Sequence, residues 1–576
     1  MASTPNERDL LDAGSAMGMA TTRSEDRIAC SPAKVKFENS QAVCGAGILF
    51  LLPSLLLQGL LKTHDVYRLP DNHYYGVEQV VLTLAFMALA RIKNPEQLKQ
   101  CKPGEIGRII GLDRVPEVRC LRKKINLLTK QQQATLLNNL LIDHWYEPRE
   151  EDAGFLYIDG HQRIYYGYEA NLPAKYISRQ KLCLSATTEY WVNDAKGMPV
   201  MVVIGELNEK LEHAIEHQII PQLQKTILMD TTGRGPNEPV CTLIFDREAY
   251  HPEFFHRLWK KHRIAVITYR KNVKDTWPDE WFETMNCKVL DQSVNMQICE
   301  LGTCLDKYWF REIRRKSENG HQTAIISTNP VIETPVVAGK MFGRWSQENF
   351  FKYLISDYDF DKMISFGIEP ADPDQLVVNP EYRKLTHKLK KIREKKQRLE
   401  ARFYPLAQQI MDEPIDSLPA LSLKQIEYIE GIEKYAQEEA RLMEQRKLLQ
   451  PKIKLCQMPI QTRYNKLKTE SKLLMNIIKM IAYRAESAVA SLLAPYLSKS
   501  DDEKRMVVKQ IIESNADIEP NYQMKTLTIT LHSLSANRFN LAANHLAELL
   551  NQTETLFPST NLRMIFKLSA FSDCER

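Results

Sequence analysis

Two short apolar runs in this chain each arrive at an aspartate: FLYID at Asp159 and CTLIFD at Asp246. A carboxylate where an apolar strand ends lies on the rim of a sheet, where the backbone is stiff and solvent enters. Taken singly, such an aspartate is commonly a turn former or a helix cap. A third acid, Glu348, stands in GRWSQENFFKYL, with Arg344 four residues before it and Lys352 four after. On a helix these three share a face, and the bland interpretation is a surface Arg–Glu–Lys ladder. Three carboxylates converging on one rim would instead repel one another unless cations were present. They would make a hard-oxygen site suited to Mg²⁺ or Mn²⁺. Two such ions about 3.5–4 Å apart activate an attacking oxygen and stabilise a leaving one in phosphodiester chemistry. Arg344 and Lys352 beside such a site would hold a phosphate in place.

The elements that must bring these residues together read as a mixed α/β layer with an early antiparallel meander. FLYID is followed by RIYYGYEA at hairpin distance. KLCLSATTEYWVNDAKGMPVMVVIGE supplies two strands about the turn Asp194–Gly197. An amphipathic helix, NEKLEHAIEHQIIPQLQKTI, leads to the Asp246 strand, and then come helix HPEFFHRLWKKHR and strand IAVITYR. Residues 272–330 break into strand-like pieces and read as a β-rich insertion. One long helix then starts near Thr334-Pro335, with Thr334 as N-cap, and runs through VVAGKMFGRWSQENFFKYLI.

Three basic stretches flank or interrupt this layer. A short helix over Glu105–Ile110, a left-handed Gly111 and a second helix over Glu117–Leu128 outline a helix-turn-helix. Val118, Leu121, Ile125 and Leu128 form the core side of the second helix. Arg119, Arg122, Lys123 and Lys124 lie on its polar side, either to enter a major groove or as a solvated face. From Arg383 to Arg398 there are nine Lys/Arg and one acid, Glu394. Leu385, Ile392 and Leu399 recur there at heptad spacing. After a break around Pro414–Pro419 the apolar stripe resumes, as in a helical hairpin or coiled-coil arm. Lys390 and Lys391 are its candidate phosphate contacts. The third stretch is the strand Lys307–Lys316, with five Lys/Arg. Residues 470–576 mix an apolar helix, a strand at TLTITLHSL and a further helix.

Composition narrows the classes. The 576 residues carry 77 Lys/Arg and 72 Asp/Glu, a formal charge of +5, too small to establish a nucleic-acid partner by itself. An apolar fraction of 44% excludes wholesale disorder. The 11 cysteines are an odd number without a CxxC pair, which fits free thiols in a reducing compartment. The polar first 40 residues read as a mobile arm without a signal peptide. Cys44–Leu61 carries no charge, but Pro53 and Gln58 interrupt it, so a buried kinked helix or helix pair is expected there and not a membrane span. No GxxxxGK[ST] loop for a nucleotide phosphate is present.

The order YIDG, IFDREAY, β-rich insertion and RWSQENFFKY resembles DDE transposases of bacterial insertion sequences. These are similar to retroviral integrases in having a ribonuclease-H-like core. LPAKYISRQKLCLSATTEYWVNDAKG, GHQTAIIST and IEPADPDQLVVNP carry the same resemblance, which extends over residues 75–576. It implies a mixed-sheet catalytic core at 151–271 and 331–370, interrupted by the β-rich insertion 272–330. Around these stand a flexible arm (1–42), a helical DNA-binding region (43–150), a basic helical arm (371–465) and a C-terminal α+β region (466–576). Asp159, Asp246 and Glu348 become the metal-binding, catalytic triad, with two Mg²⁺ or Mn²⁺ ions. Arg344 fits the family's Arg position. The family's Tyr position is Met341 here and its Lys position is Ile355, with Lys352 one turn nearer. His161 and Arg247, beside the aspartates, become phosphate contacts or structural polar residues. The implied reaction is hydrolysis of one strand at each transposon end, followed by attack of the freed 3′ hydroxyl on target DNA. The implied partners are double-stranded DNA, at the ends and at the target, and further copies of the chain in a dimer or larger synaptic assembly. No membrane is implied, and the setting is the bacterial cytoplasm at the nucleoid. The Met341 and Ile355 departures keep open a decayed DNA-binding protein, and a nuclease that never joins strands is the other alternative.

Overall fold

The computed structural model describes residues 33–70, 73–101, 103–147, 154–177, 180–205, 207, 209–290, 292–358, 367–411, 423–497 and 501–569. The architecture is mixed α/β, built on two principal sheets. The larger holds β1 (Phe155–Ile164), β2 (Leu182–Asn193), β3 (Pro199–Ile204), β4 (Cys241–Phe245) and β5 (Ile264–Tyr269). It continues through β6 (Glu283–Val289), β7 (Gln292–Leu305), β8 (Tyr308–Lys316) and β9 (Gln322–Ser327). The lateral order is β3-β2-β1-β4-β5-β9-β8-β7-β6, with the short strand Ala174–Ile177 beside the start of β2. The first three strands form an antiparallel meander, and β4 and β5 lie parallel to β1. Every residue of β4 is buried, as expected of a parallel strand covered on both faces.

Residues 272–330 are therefore no separate module. Their meander joins the central sheet edge to edge, with β9 antiparallel to β5 through Ile325 opposite Tyr269. The Asp159 strand also departs from expectation. It does not stop at the aspartate or give way to a hairpin, but runs on to Ile164, paired only with β2. Alternation explains this. Tyr157, Asp159, His161 and Arg163 share one face, and a packed helical layer rather than solvent covers most of it, so His161 and Arg163 are buried.

The expected single helix from Thr334 is two: α1 (Thr334–Phe342) and α2 (Trp345–Tyr358). Thr334 is the first helical residue and Glu333 the cap position. The Tyr157 hydroxyl donates to the Lys340 carbonyl at 2.7 Å. That carbonyl would accept the Arg344 N–H in an unbroken helix. The Arg344 N–H instead reaches Met341 O at 3.3 Å, and the chain turns at Gly343-Arg344.

The second sheet joins the two ends of the chain. Ser40–Val43 pairs with Ala516–Asn521, followed by Thr526–Leu531 and Arg563–Leu568. The arm expected to end at residue 42 is thus held from residue 33. Ala33 and Phe37 are buried, and the Asp517 carboxylate accepts the Ala42 N–H at 2.7 Å. The apolar stretch 44–61 forms short helices bent by 61° and packed within the protein, with the Ser54 hydroxyl donating to Ala485 O. Among the described residues no single helix is long and apolar enough to cross a membrane. One continuous apolar cluster runs through the N-terminal helices, the long helix Glu470–Leu492 and this second sheet. The regions separated in the sequence at 43–150 and 466–576 therefore share a core.

The basic arm is a helical hairpin, Pro380–Met411 against Leu423–Lys447, closed by Leu389, Ile392 and Leu442. The break at Pro414–Pro419 lies outside the described residues.

Candidate active site

β1 and β4 run parallel in register, with Phe155 opposite Thr242 and Ile158 opposite Phe245. Asp159 and Asp246 each come one residue past the last rung of this pairing, where neighbouring strands lie about 5 Å apart. Each carboxylate is steadied by the chain that follows it. Asp159 Oδ1 accepts the Gly160 N–H at 2.9 Å. Asp246 accepts the Arg247 N–H at 2.5 Å and caps the short turn Arg247–Ala249. Both side chains are half-buried.

The turn between α1 and α2 brings Arg344 to this pair, with Nη1 3.7 Å from Asp159 Oδ2. Beyond it α2 crosses the Asp159 face of the sheet. Phe351 stacks on His161 at 5.7 Å between ring centroids. Phe350 contacts Trp191, the residue opposite Asp159 in the β1–β2 ladder. Glu348 lies on α2 between Arg344 and Phe351, one helical turn before Phe351. Its side chain is outside the described residues. The far end of α2 is fixed by the fully buried Glu486, whose carboxylate accepts from Arg91 at 3.0 Å and from the hydroxyls of Tyr353 and Tyr358.

Glu248 is a carboxylate that motif reasoning passed over, although IFDREAY displays it two residues after Asp246. It lies against Gly160, where an added Cβ would meet its Oε2 at 3.4 Å. Desolvation, then the charges of Asp159 and Asp246, push the Glu248 carboxyl above its ordinary range, against the pull of Lys175. More than a third of Glu248 is open to solvent, which weakens the effect of burial and of the neighbouring charges alike. Another polar group missed at the sequence level lies deeper on the Asp159 face. Arg163 pairs with Glu189 at 2.9 Å, with Lys472 and Asn476 alongside. Burial pushes the Glu189 carboxyl up, but Lys472, Arg163 and His161 outweigh it and hold it below the usual range.

Among the described residues no three His, Cys, Asp or Glu side chains gather closely enough to hold a metal ion by themselves. Asp159 and Asp246 offer hard oxygen donors, the kind a divalent cation such as Mg²⁺ takes, but two carboxylates alone fall short of a full ligand set.

The other sequence candidates divide clearly. Arg247 is exposed at the rim and leans over the Tyr269 ring at 5.8 Å. Lys352 is exposed on α2, whereas Ile355 packs into the shared core and Met341 is fully buried against Tyr157. His161 is 5% exposed, which gives it a packing place and not a free phosphate-facing edge. The helix pair is Pro103–Ile109 and Val118–Thr129, joined through Gly111 in the left-handed region at φ 69°. Arg119, Arg122 and Lys123 are exposed, with Arg122 bound to Glu96 at 2.5 Å. Lys124 is turned inward: its ammonium donates to Tyr75 O at 2.8 Å, and burial lowers its pKa. Lys390 and Lys391 are exposed on the hairpin. The basic strand at 307–316 spends much of its charge inside the fold. Arg311 binds Glu300 at 2.6 Å, Arg314 binds Glu312 at 2.7 Å, and Lys316 lies 3.1 Å from Asp279. The alternation of a half-covered strand, invisible in a charge count, put these residues against acids.

The fold and its rim site define a mixed α/β protein whose adjacent strand-end carboxylates lie beneath a basic helix junction. The family model described as "Transposase protein" matches residues 18–570, and the chain belongs to that family. No curated protein matches it. Among solved structures, the chain is similar to that described as the cryo-EM structure of piggyBac transposase synaptic complex with hairpin DNA. The identity is 10%, the coverage 74% of each chain and the TM-score 0.29.

Proposed function

We propose that this transposase is of the DDE type, as in bacterial insertion sequences: it binds transposon ends, cleaves their 3′ ends with divalent metal and transfers the strand to target DNA. The observation that carries the reading is the register of β1 and β4, which leaves Asp159 and Asp246 adjacent just past the last paired rung, with Arg344 reaching in. The strand order β3-β2-β1-β4-β5, an antiparallel meander followed by two parallel strands, supports a ribonuclease-H-like core. Asp159, Asp246 and Glu348 would hold the metal. A divalent ion held there would supply the Lewis acidity that lowers the pKa of an attacking oxygen and offsets charge on a leaving one. Asp159 and Asp246 keep their oxygens in place through the Gly160 and Arg247 amides, so little reorganisation is needed on binding. Arg344 offers a guanidinium beside Asp159 to orient a phosphate. Double-stranded DNA and further copies of the chain are the partners of this reading.

The test is nicking of DNA that carries the element's own ends, in Mg²⁺, by wild-type protein and by Asp159→Asn. The variant keeps an oxygen for the Gly160 N–H and should fold and bind ends as wild type does. Its nicking rate should fall about 100-fold or more, the scale seen when a charge-stabilising group is removed. Nicking at the wild-type rate would exclude Asp159 from the chemistry. Strand joining with precleaved ends separates transposition from simple nuclease action.

A further inference from the structure

The turn that follows the Asp159 strand displays aromatic surface that the acid site does not use. Tyr166, Tyr168 and Tyr176 are 73%, 102% and 57% exposed. Their backbone is nonetheless tightly held. Tyr165 is buried in a small apolar cluster, and its hydroxyl accepts the Ala170 N–H at 2.9 Å. Gly167 lies so close to the Tyr165 ring that a Cβ there would come within 2.5 Å. Asn171 takes its N–H to Asn465 Oδ1 at 2.8 Å and donates its side-chain amide to Thr462 O at 2.8 Å. One tyrosine is thus locked inside while its neighbours at 166 and 168 are presented outward. Tyr176 stands on the short strand Ala174–Ile177, and the carbonyl of Ala174 accepts from Arg383 Nη2 at 3.1 Å. Arg383 opens the run of nine Lys/Arg. The aromatic surface and the basic helix therefore adjoin.

Exposed aromatic rings on a held backbone beside a row of cations are an arrangement that binds single-stranded nucleic acid: rings stack on bases while cations follow the phosphates. A duplex hides its base faces in its own stack, so the occupant must be unpaired. From Asp159 to Ile164 the strand advances about 17 Å, the reach of a few nucleotides of unpaired strand. We propose that Tyr166, Tyr168 and Tyr176 form a stacking platform for unpaired DNA bases a few nucleotides from the acid site, with the backbone passing onto the 383–398 helix. The proposal takes its DNA from the transposase reading but does not depend on the acids.

The test uses the full chain in EDTA, so that no strand is cut. The probes are a blunt duplex and the same duplex with a ten-nucleotide single-stranded extension carrying 2-aminopurine. Wild-type protein should bind the extended probe about tenfold or more tighter than the blunt one and quench the 2-aminopurine. Tyr166→Ala and Tyr168→Ala should each lose most of that preference, Tyr168→Phe should keep it, and blunt-duplex affinity should stay constant throughout. Equal affinity for both probes in wild type, or a Tyr166→Ala/Tyr168→Ala/Tyr176→Ala protein with full preference, overturns the platform and leaves the transposase reading standing. Failure to bind either probe overturns both. If the alanine variants keep the preference but lose a concentration-dependent oligomer, the surface serves self-association and the proposal is wrong.

Discussion

Replacing Asp246 by asparagine separates a shared-metal site from two incidental strand-end acids. Asparagine keeps a side-chain oxygen for the Arg247 amide, so the cap survives. It also leaves the Arg344–Asp159 contact at 3.7 Å untouched, which a change at Asp159 would not. What it removes is one of two like charges on adjacent strands. Were the two carboxylates about 6 Å apart, somewhat more than the spacing of adjacent strands, they would repel by about 0.7 kcal/mol in water and about 2.8 kcal/mol at an effective dielectric constant near 20. Both groups are half-buried, so the lower half of that range applies. In metal-free buffer Asp246→Asn should therefore be more stable than wild type by about 1 kcal/mol. Mg²⁺ should reverse the order: at 100 times its dissociation constant a bound ion stabilises the native state by about 2.7 kcal/mol, and the variant has lost a ligand. Calorimetric melting with EDTA and with Mg²⁺ reads both effects without any DNA. A variant less stable than wild type in EDTA, or an equal gain from Mg²⁺ in both proteins, would refute the argument that the two aspartates share an ion.

Lys390 and Lys391 are exposed on the basic hairpin, and Lys390 is only loosely tied to Glu394 at 3.9 Å. Their joint replacement by alanine should weaken binding to every DNA sequence alike and flatten the log–log salt slope by about 2, measured by fluorescence anisotropy. An unchanged slope would remove them from the phosphate contacts. Glu486→Gln should remove the buried carboxylate shared by Arg91 and Arg505 and leave Arg91 only Asp357, at 3.3 Å, at a cost of up to about 3 kcal/mol. Hydrogen exchange should then accelerate in the 345–358 helix before it does in β1 and β4; uniform exchange across the three would show that Glu486 does not anchor that helix.

The elements nearest the chemistry were legible because their patterns are local. A continuous apolar run reads as a covered strand, and FLYID and CTLIF are both that. The register that sets Asp159 beside Asp246 is not local: it follows from parallel pairing across a connection of more than seventy residues, which composition does not encode. The helix break at Gly343-Arg344 was equally hidden, since it depends on a tyrosine nearly two hundred residues earlier taking the Lys340 carbonyl. Charge counting failed in the opposite direction. Arg314 and Lys124 look like nucleic-acid contacts in the sequence, yet one is sealed against Glu312 and the other donates to Tyr75 O. Lys390 and Lys391, on a helix whose apolar stripe is narrow, stayed in solvent as the periodicity required.

Glu348 is carried by a helix that packs on the sheet and on the core of the chain's two ends at once. Ile158 and Phe245 pack with the helices on one side of the sheet, and Tyr157 and Ile244 with α1 on the other. Phe350, Phe351, Leu354 and Tyr358 of α2 belong to the apolar cluster made by the two ends of the chain, which also takes in Trp191 and Val202 of the sheet. The same cluster contains Leu121, Ile125 and Leu128, the buried side of the helix that exposes Arg119 and Lys123. Arg91 from the N-terminal region and Arg505 from the C-terminal one both meet Glu486 behind α2. Gly343-Arg344 is thus where the chain leaves the α1 cluster and enters that shared core. On the proposed reading, DNA held by Arg119 and Lys123 would bear on the same core that seats α2, and Arg344 lies where that core meets the Asp159 edge of the sheet.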